Sequence, residues 1–118
     1  MNKHPWNSEN AVSEFIGSLI KLHSCSNILE IGVFEGQSGI AMINALPKDG
    51  KYTALDITEE NYTAEFKTKL KKHTSLVGNS LELLHEIPNR TVDLILINSA
   101  IKLLTAYSLF HGCLLITF

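Results

Sequence analysis

The sequence is short of the features that would assign it to several broad classes. Its 118 residues include only two cysteines, Cys25 and Cys113, and three prolines. Two thiols so differently placed cannot build a disulfide framework or a metal site, and both read as small core residues. Neither sign of charge dominates, because ten Lys and Arg stand against twelve Asp and Glu. The resulting net charge of -2 gives no electrostatic reason to expect nucleic acid. The single basic cluster, Lys67, Lys69, Lys71 and Lys72, reads as the solvated face of a helix. No run reaches the roughly 18 apolar residues that a membrane span needs. The first residues, Met1-Asn2-Lys3-His4-Pro5-Trp6, lack an apolar leader core, so a soluble, cytoplasmic protein without a membrane partner is expected. Asn61-Tyr62-Thr63 and Asn89-Arg90-Thr91 match the glycosylation sequon by chance on that reading. There is no internal repeat and no low-complexity segment.

What is present is an ordinary globular composition, 45% hydrophobic and 19% charged, in a length that holds one core. A single domain over residues 1–118 is therefore expected. Val12, Phe15, Ile16, Leu19, Ile20 and Leu22 recur at helical spacing, which predicts an amphipathic helix over 9–23 capped by Asn7 or Ser8. Strand one follows at 27–32, then a helix at 37–46 and a turn at Pro47-Lys48-Asp49-Gly50. Strand two is expected at 51–57, and a charged helix at 59–72 on Tyr62, Phe66 and Leu70. A short third strand at 75–77 and a brief helix through Leu81, Leu83 and Leu84 come next. Val92 to Ile97 is continuously apolar, as a strand buried on both faces should be. A helix over 101–110 then leads to a last strand, Cys113 to Phe118. Alternation of this kind predicts an α/β fold, a Rossmann-like doubly wound parallel sheet of about five strands ordered 3-2-1-4-5. The ligand crevice would lie where the order reverses.

The densest information is in Asn27-Ile28-Leu29-Glu30-Ile31-Gly32-Val33-Phe34-Glu35-Gly36-Gln37-Ser38, an apolar strand entering a glycine-bearing turn and then a helix. Glycine lets a backbone approach a ligand, and a helix start offers unpaired N–H groups to an anion. The second strand ends in Asp56, and a carboxylate there can accept from both ribose hydroxyls of a nucleoside. A dinucleotide fingerprint needs three glycines at G-x-G-x-x-G, whereas this turn has Gly32 and Gly36. Glu30 and Glu35 add negative charge that disfavours a diphosphate and suits a cationic amine or sulfonium. S-adenosylmethionine is a ligand of that kind, and a nicotinamide-dependent oxidoreductase is the poorer reading.

Leu29-Glu30-Ile31-Gly32-Val33-Phe34-Glu35-Gly36-Gln37-Ser38 resembles the first motif of class I S-adenosylmethionine-dependent methyltransferases, with the O-methyltransferase branch nearest. The resemblance extends in order and spacing through Ala45 to Gly50, Ala54-Leu55-Asp56-Ile57, Gly78-Asn79-Ser80-Leu81-Glu82-Leu83-Leu84 and Val92-Asp93-Leu94-Ile95-Leu96-Ile97, covering about residues 9 to 118. It implies small-molecule O-methylation with S-adenosylmethionine as cofactor. Glu30, Gly32, Gly36, Ser38, Asp56 and Asn79 are then the cofactor residues, and Asn98 the acceptor-side candidate. Gly32 and Gly36 would admit the methionine part, Ser38 would bond its carboxylate, Asp56 would hold the ribose and Asn79 would accept from the adenine amine. Each has a plainer alternative: a tight strand-to-helix turn for the glycines, a strand-end aspartate for Asp56, and a helix cap for Asn79 and Ser80.

Metal-dependent members of the family hold a cation with an Asp after strand four and an Asp-Asn pair after strand five. Here those positions are Asn98 and the end of the sequence at Thr117-Phe118, so no metal is expected. Nor do the five histidines, His4, His23, His73, His85 and His111, replace it, since they lie outside the strand tips and read as surface residues. His4 and Trp6, with Tyr62, read either as a cover for the site or, for Trp6, as a core anchor. Compared with the family the segment between strands four and five is short, and strands six and seven are lacking. Cys113 to Phe118 is thus expected as an apolar edge strand, with a homodimer as one way to cover it. Asn98, Asn79, which also stands where the family usually has an Asp, and the short C-terminus also suit a non-catalytic cofactor-binding or interaction module.

Overall fold

The structure, a computed structural model, describes residues 9–88, 90–97 and 110–117, with the backbone alone for 9, 10 and 110–117. Its elements are α1 (Glu9–His23), β1 (Asn27–Ile31), α2 (Gln37–Ala45), β2 (Lys51–Asp56), α3 (Ala64–Leu70), β3 (Thr74–Val77), α4 (Ser80–Leu83) with a 3-10 turn at Leu84–Glu86, β4 (Val92–Ile97) and β5 (Phe110–Thr117). The five strands form one sheet in the order β3-β2-β1-β4-β5, with every neighbouring pair parallel. This is the doubly wound order expected from the alternation of elements. None of the described helices is long and apolar enough to cross a membrane.

Burial explains the apolar runs. β1 and β4 sit at the centre of the sheet, and Ile28, Leu29, Ile31, Leu94, Ile95, Leu96 and Ile97 are all buried. One core joins Ile28, Tyr52, Ala54, Leu94 and Leu96 to Ile16 and Ile20 of α1, Met42 of α2 and Phe66 and Leu70 of α3. A second joins Leu29, Ile31, Leu55, Ile95 and Ile97 to Leu84. At the amino ends of the central strands, Asp93 Oδ2 accepts from the Ser26 and Asn27 backbone N–H groups at 2.8 and 3.0 Å and from the Ser26 hydroxyl at 3.0 Å. That clasp sets β1 against β4 before the ladder begins.

Two element starts differ from the sequence reading by three residues or more, the other boundaries by one or two. α3 starts at Ala64 rather than at 59, because Thr63 accepts the Phe66 N–H on its hydroxyl at 3.2 Å and closes the helix start. Tyr62 still joins the apolar stripe from the turn before it, edge-on to Phe66 with centroids 4.8 Å apart. β5 begins at Phe110 rather than at Cys113. Gly112 reads in sequence as a break, but in the sheet it falls where the β4–β5 register shifts between Val92↔Phe110 and Leu94↔Leu114. The strand continues past the glycine as an irregularity. The expected helix over 101–110 and the caps Asn7 and Ser8 lie outside the described residues, apart from Phe110. The lysine cluster does line the outer face of α3 and the turn after it, with Lys67, Lys71 and Lys72 exposed and Lys69 donating to Asn44 Oδ1 at 2.8 Å.

Gly36 caps α2 in the left-handed region at φ +96, and a Cβ there would run into the ring of Phe66. Gly36→Ala is expected to lower the unfolding free energy by about 2–4 kcal/mol, combining the left-handed backbone cost with overpacking. Urea denaturation measures it. Phe66→Leu added to that variant should recover part of the loss by relieving only the collision.

Candidate functional site

The carboxyl ends of β1, β2 and β3 open onto a cleft of about 350 Å³, lined by Ile31, Gly32, Leu55, Asp56, Ile57, Gly78, Asn79, Ser80 and Leu81. Its floor is set by Asp56. One carboxylate oxygen, Oδ2, accepts from the Val33 N–H at 2.8 Å and the Phe34 N–H at 3.0 Å, while Oδ1 accepts from the Ile57 N–H at 2.7 Å. The Asp56 carbonyl also accepts from the Gly78 N–H at 2.9 Å. One residue at the tip of β2 therefore holds the β1–α2 turn on one side and the β3–α4 turn on the other. Carboxylate-to-amide bonds of this kind are stronger than neutral ones, and a carboxylate has about four acceptor sites, so one remains for a ligand hydroxyl.

The turn that Asp56 holds enters the left-handed region twice. Gly32 has φ +82, and Phe34, a bulky residue that is 58% exposed, has φ +60. A side chain in that region costs roughly 1–2 kcal/mol, which the two N–H bonds to Asp56 offset. Beyond the turn, α2 starts on Gly36 with no side-chain cap and no acidic residue in its first turn, where Ser38 stands half-buried. A helix start of this kind favours an anion. Gly36 itself is not a gap left for a ligand, because the space that its Cβ would take belongs to Phe66.

On the far wall Asn79 caps α4, its Oδ1 accepting from the Leu81 N–H at 2.9 Å. Its cap reading is therefore observed, with the side-chain N–H₂ left for other contacts. Two apolar side chains, Ile57 at 76% exposed and Leu81 at 43%, stand on the rim instead of packing into the core. Exposed apolar residues lining a cleft supply walls for a flat apolar ligand.

Glu30 lies beneath the turn, fully buried on β1. Its Oε1 accepts from the Tyr52 hydroxyl at 2.5 Å, and Oε2 has no hydrogen-bond partner. Burial, with Asp56 adding repulsion, pushes its carboxyl up to about 8 even though the Tyr52 hydrogen bond pulls the other way. Tyr52 is pushed well above the usual phenol range, first by burial and then by Glu30. Tyr62 is raised by burial, then by Asp56 and Glu30, and its hydroxyl is buried without a partner. Tyr62 is thus a core residue and no part of a movable cover.

The structure brings together Gly32, Asp56 and Asn79 around one cleft, with Glu30, Gly36 and Ser38 in or under the adjoining turn. Asn98, His4 and Trp6 lie outside the described residues, as do the side chains of His111 and Cys113. His73 is half-exposed, and its Nδ1 accepts from the Tyr52 N–H at 3.3 Å. Among the described residues no group of three His, Cys, Asp or Glu is placed to hold a metal ion. Sequence reasoning missed Ile57 and Leu81 as cleft walls and Tyr52 as the partner of Glu30. A phenol at a core-facing position of a strand, on the same face as Ala54, was the available signal for the last.

Comparison with known proteins follows the same lines. The O-methyltransferase TomG from Streptomyces achromogenes, involved in tomaymycin synthesis and solved with SAM, superimposes with a TM-score of 0.76 at 23% identity, over 91% of this chain and 54% of that one. An O-methyltransferase from Bacillus cereus solved with SAH gives 0.70 at 22% identity, over 92% and 53%. These likenesses define the fold class, a Rossmann-like doubly wound α/β sheet. The family model described as O-methyltransferase matches residues 2–115, and the chain belongs to that family. In sequence it is 49% identical over 63 residues to caffeoyl-CoA O-methyltransferase 2 of Petunia hybrida and to caffeoyl-CoA O-methyltransferase 1 of Nicotiana tabacum, 51% of this chain and 26% of each relative. The chain thus spans about half the length of those solved structures, and the match covers about a quarter of those relatives.

Asp56→Asn puts an N–H₂ against backbone N–H donors and should cost about 1–3 kcal/mol of stability, read by urea denaturation. Glu30 holds its proton to about pH 8 in the native state against 4.5 as its ordinary value, so the native state binds more protons between those limits. Stability contributed by the neutral acid is complete below pH 4.5 and is lost as pH rises to 8. Glu30→Gln should therefore match the parent in Tm near pH 4.5 and exceed it at pH 8.

Proposed function

We propose that the cleft beyond β1, β2 and β3 binds S-adenosylmethionine and that the protein serves methyl transfer to an oxygen of a small-molecule acceptor. The observation that carries this reading is the cleft itself: a carboxylate at the tip of β2 with an acceptor site to spare, flanked by the exposed apolar side chains of Ile57 and Leu81. The residues present fit the cofactor. Asp56 takes ribose hydroxyls, Ile57 and Leu81 flank the adenine, and Asn79 and Ser80 meet its edge. Gly32 opens the backbone to the methionine part, whose carboxylate finds the start of α2 at Ser38. Gly36 shapes that turn, and the unpartnered oxygen of Glu30 supplies negative charge below the amino group.

The cofactor, when bound, supplies an electrophilic methyl group on a sulfonium. The chain's own share is to hold and align, which is where most of the rate in methyl transfer arises. Asn98, the next residue in sequence after β4, is our candidate for the acceptor side. Membership of an O-methyltransferase family supports the reaction class. We carry a single domain over 1–118, a cytoplasmic location and a homodimer through the β5 side as parts of the same proposal. They rest on the composition and on the apolar sequence of β5.

Calorimetric titration with S-adenosylmethionine and S-adenosylhomocysteine, with NADH as control, tests the cofactor assignment. Saturable binding of the first two is expected, weakened about fivefold in Ile57→Ala through roughly 1 kcal/mol of lost apolar contact. Binding of NADH alone, or of none, overturns it. Release of S-adenosylhomocysteine with an acceptor separates a transferase from a binding module. Light scattering at high concentration tests the dimer.

A further inference from the structure

The buried acid under the turn is the feature that the proposed cofactor role leaves unexplained in detail. Glu30 is neutralised by no cation on any described element packed around it. β2 faces it with Tyr52 and Asp56, and the turn before α3 with Tyr62. The buried residues of the neighbouring elements are uncharged: Ser13, Ile16 and Ile20 on α1, Gly39 and Met42 on α2, Phe66 and Leu70 on α3, and Leu94 and Leu96 on β4. One carboxyl oxygen is tied to a phenol and the other is unpartnered at full burial. An ionised carboxylate without a counter-charge is expensive in such a place, and a neutral acid is not.

We propose that Tyr52 is a positioning residue that fixes the Glu30 carboxyl by its hydroxyl, and that a cofactor bearing an ammonium expels a proton from Glu30 to solvent as it binds. The inference rests on the cofactor reading given above. The phenol keeps its own proton throughout. The ammonium charge enters just above a low-dielectric layer, where it favours the ionised form of Glu30 without requiring direct contact. The proton leaves one carboxyl group for solvent, so that an ionised Glu30 stands beneath the ammonium when the cofactor is in place. That the empty protein carries Glu30 as an acid agrees with its elevation to about 8. Tyr52 then governs the pH at which loading is most favourable, because its hydrogen bond favours the ionised acid. A Cβ at Gly39 would lie 2.6 Å from the Tyr52 hydroxyl, so the glycine in α2 leaves the phenol its room beside Glu30.

The test uses the full chain and two ligands. S-adenosylhomocysteine carries the ammonium, whereas 5′-methylthioadenosine lacks the amino-acid end. Calorimetry in buffers of different ionisation enthalpy should show proton release with the first and none with the second. Affinity for the first should rise with pH from 6.5 to 8 by up to about tenfold per unit. Tyr52→Phe removes only the hydroxyl, and it should displace that profile to higher pH. A merely structural role for Tyr52 would weaken binding equally at every pH and overturns the assignment. Glu30→Gln should bind without proton release. Infrared spectra of the ligand-free protein at pH 7 should show a neutral carboxylic acid band that Glu30→Gln lacks, and a Glu30 already ionised there sinks the idea whatever the ligands do. Saturable binding of S-adenosylhomocysteine without proton release overturns this inference alone, and absence of all binding overturns the cofactor reading with it.

Discussion

The carboxylate of Asp56 is the point on which the rest of the site depends. It accepts two backbone N–H groups from the turn after β1 and one from its own strand end, while its carbonyl holds Gly78. Parallel strands end with their loops unsupported, because the ladder hydrogen bonds stop there. A charged acceptor placed among the orphan N–H groups of two loops closes that gap with charge-assisted bonds. The left-handed conformations of Gly32 and Phe34 persist for the same reason, since the bonds to Asp56 determine the path of the turn.

Two carboxyl groups thus flank one turn in opposite conditions. Asp56 has three N–H donors and an edge open to the cleft. Glu30 has a single phenol, no donor on its second oxygen and no access to water. The difference follows from their positions along the strands. Asp56 is the last residue of β2, where the chain leaves the sheet, whereas Glu30 is one residue inside β1 and points into the core beneath α2 and α3. Environments this different can assign different tasks to chemically similar groups.

Much of the scaffold was legible because it depends on local pattern. The uninterrupted apolar run of β4, the helical period of α1 and the Pro47 to Gly50 turn, where the Gly50 N–H donates to the Pro47 carbonyl at 2.9 Å, are each specified within a few residues. Order in the sheet followed from alternation and crossover handedness. The misread boundaries are places where a distant partner decides. Thr63 caps a helix whose Phe66 packs beneath Gly36, and Gly112 lies in a strand whose pairing with β4 resumes beyond it after the register shift.

In the site the division has the same cause. Residue type and spacing by themselves determined the acidic tip of β2, the glycine turn after β1 and the membership of these motifs in one crevice, since strand ends and turns are short-range features. Only the tertiary structure decided that the Asn79 Oδ1 caps α4, one of the two readings its sequence allows, that Gly36 yields its space to Phe66 and that Tyr52 meets Glu30 on the neighbouring strand. The β1–β2 register sets Glu30 opposite Ala54, two residues from Tyr52, so that a phenol can reach diagonally to the carboxyl. Burial then converts that contact into a protonation state. No local pattern carries such information, because the cost of a charge depends on everything that surrounds it.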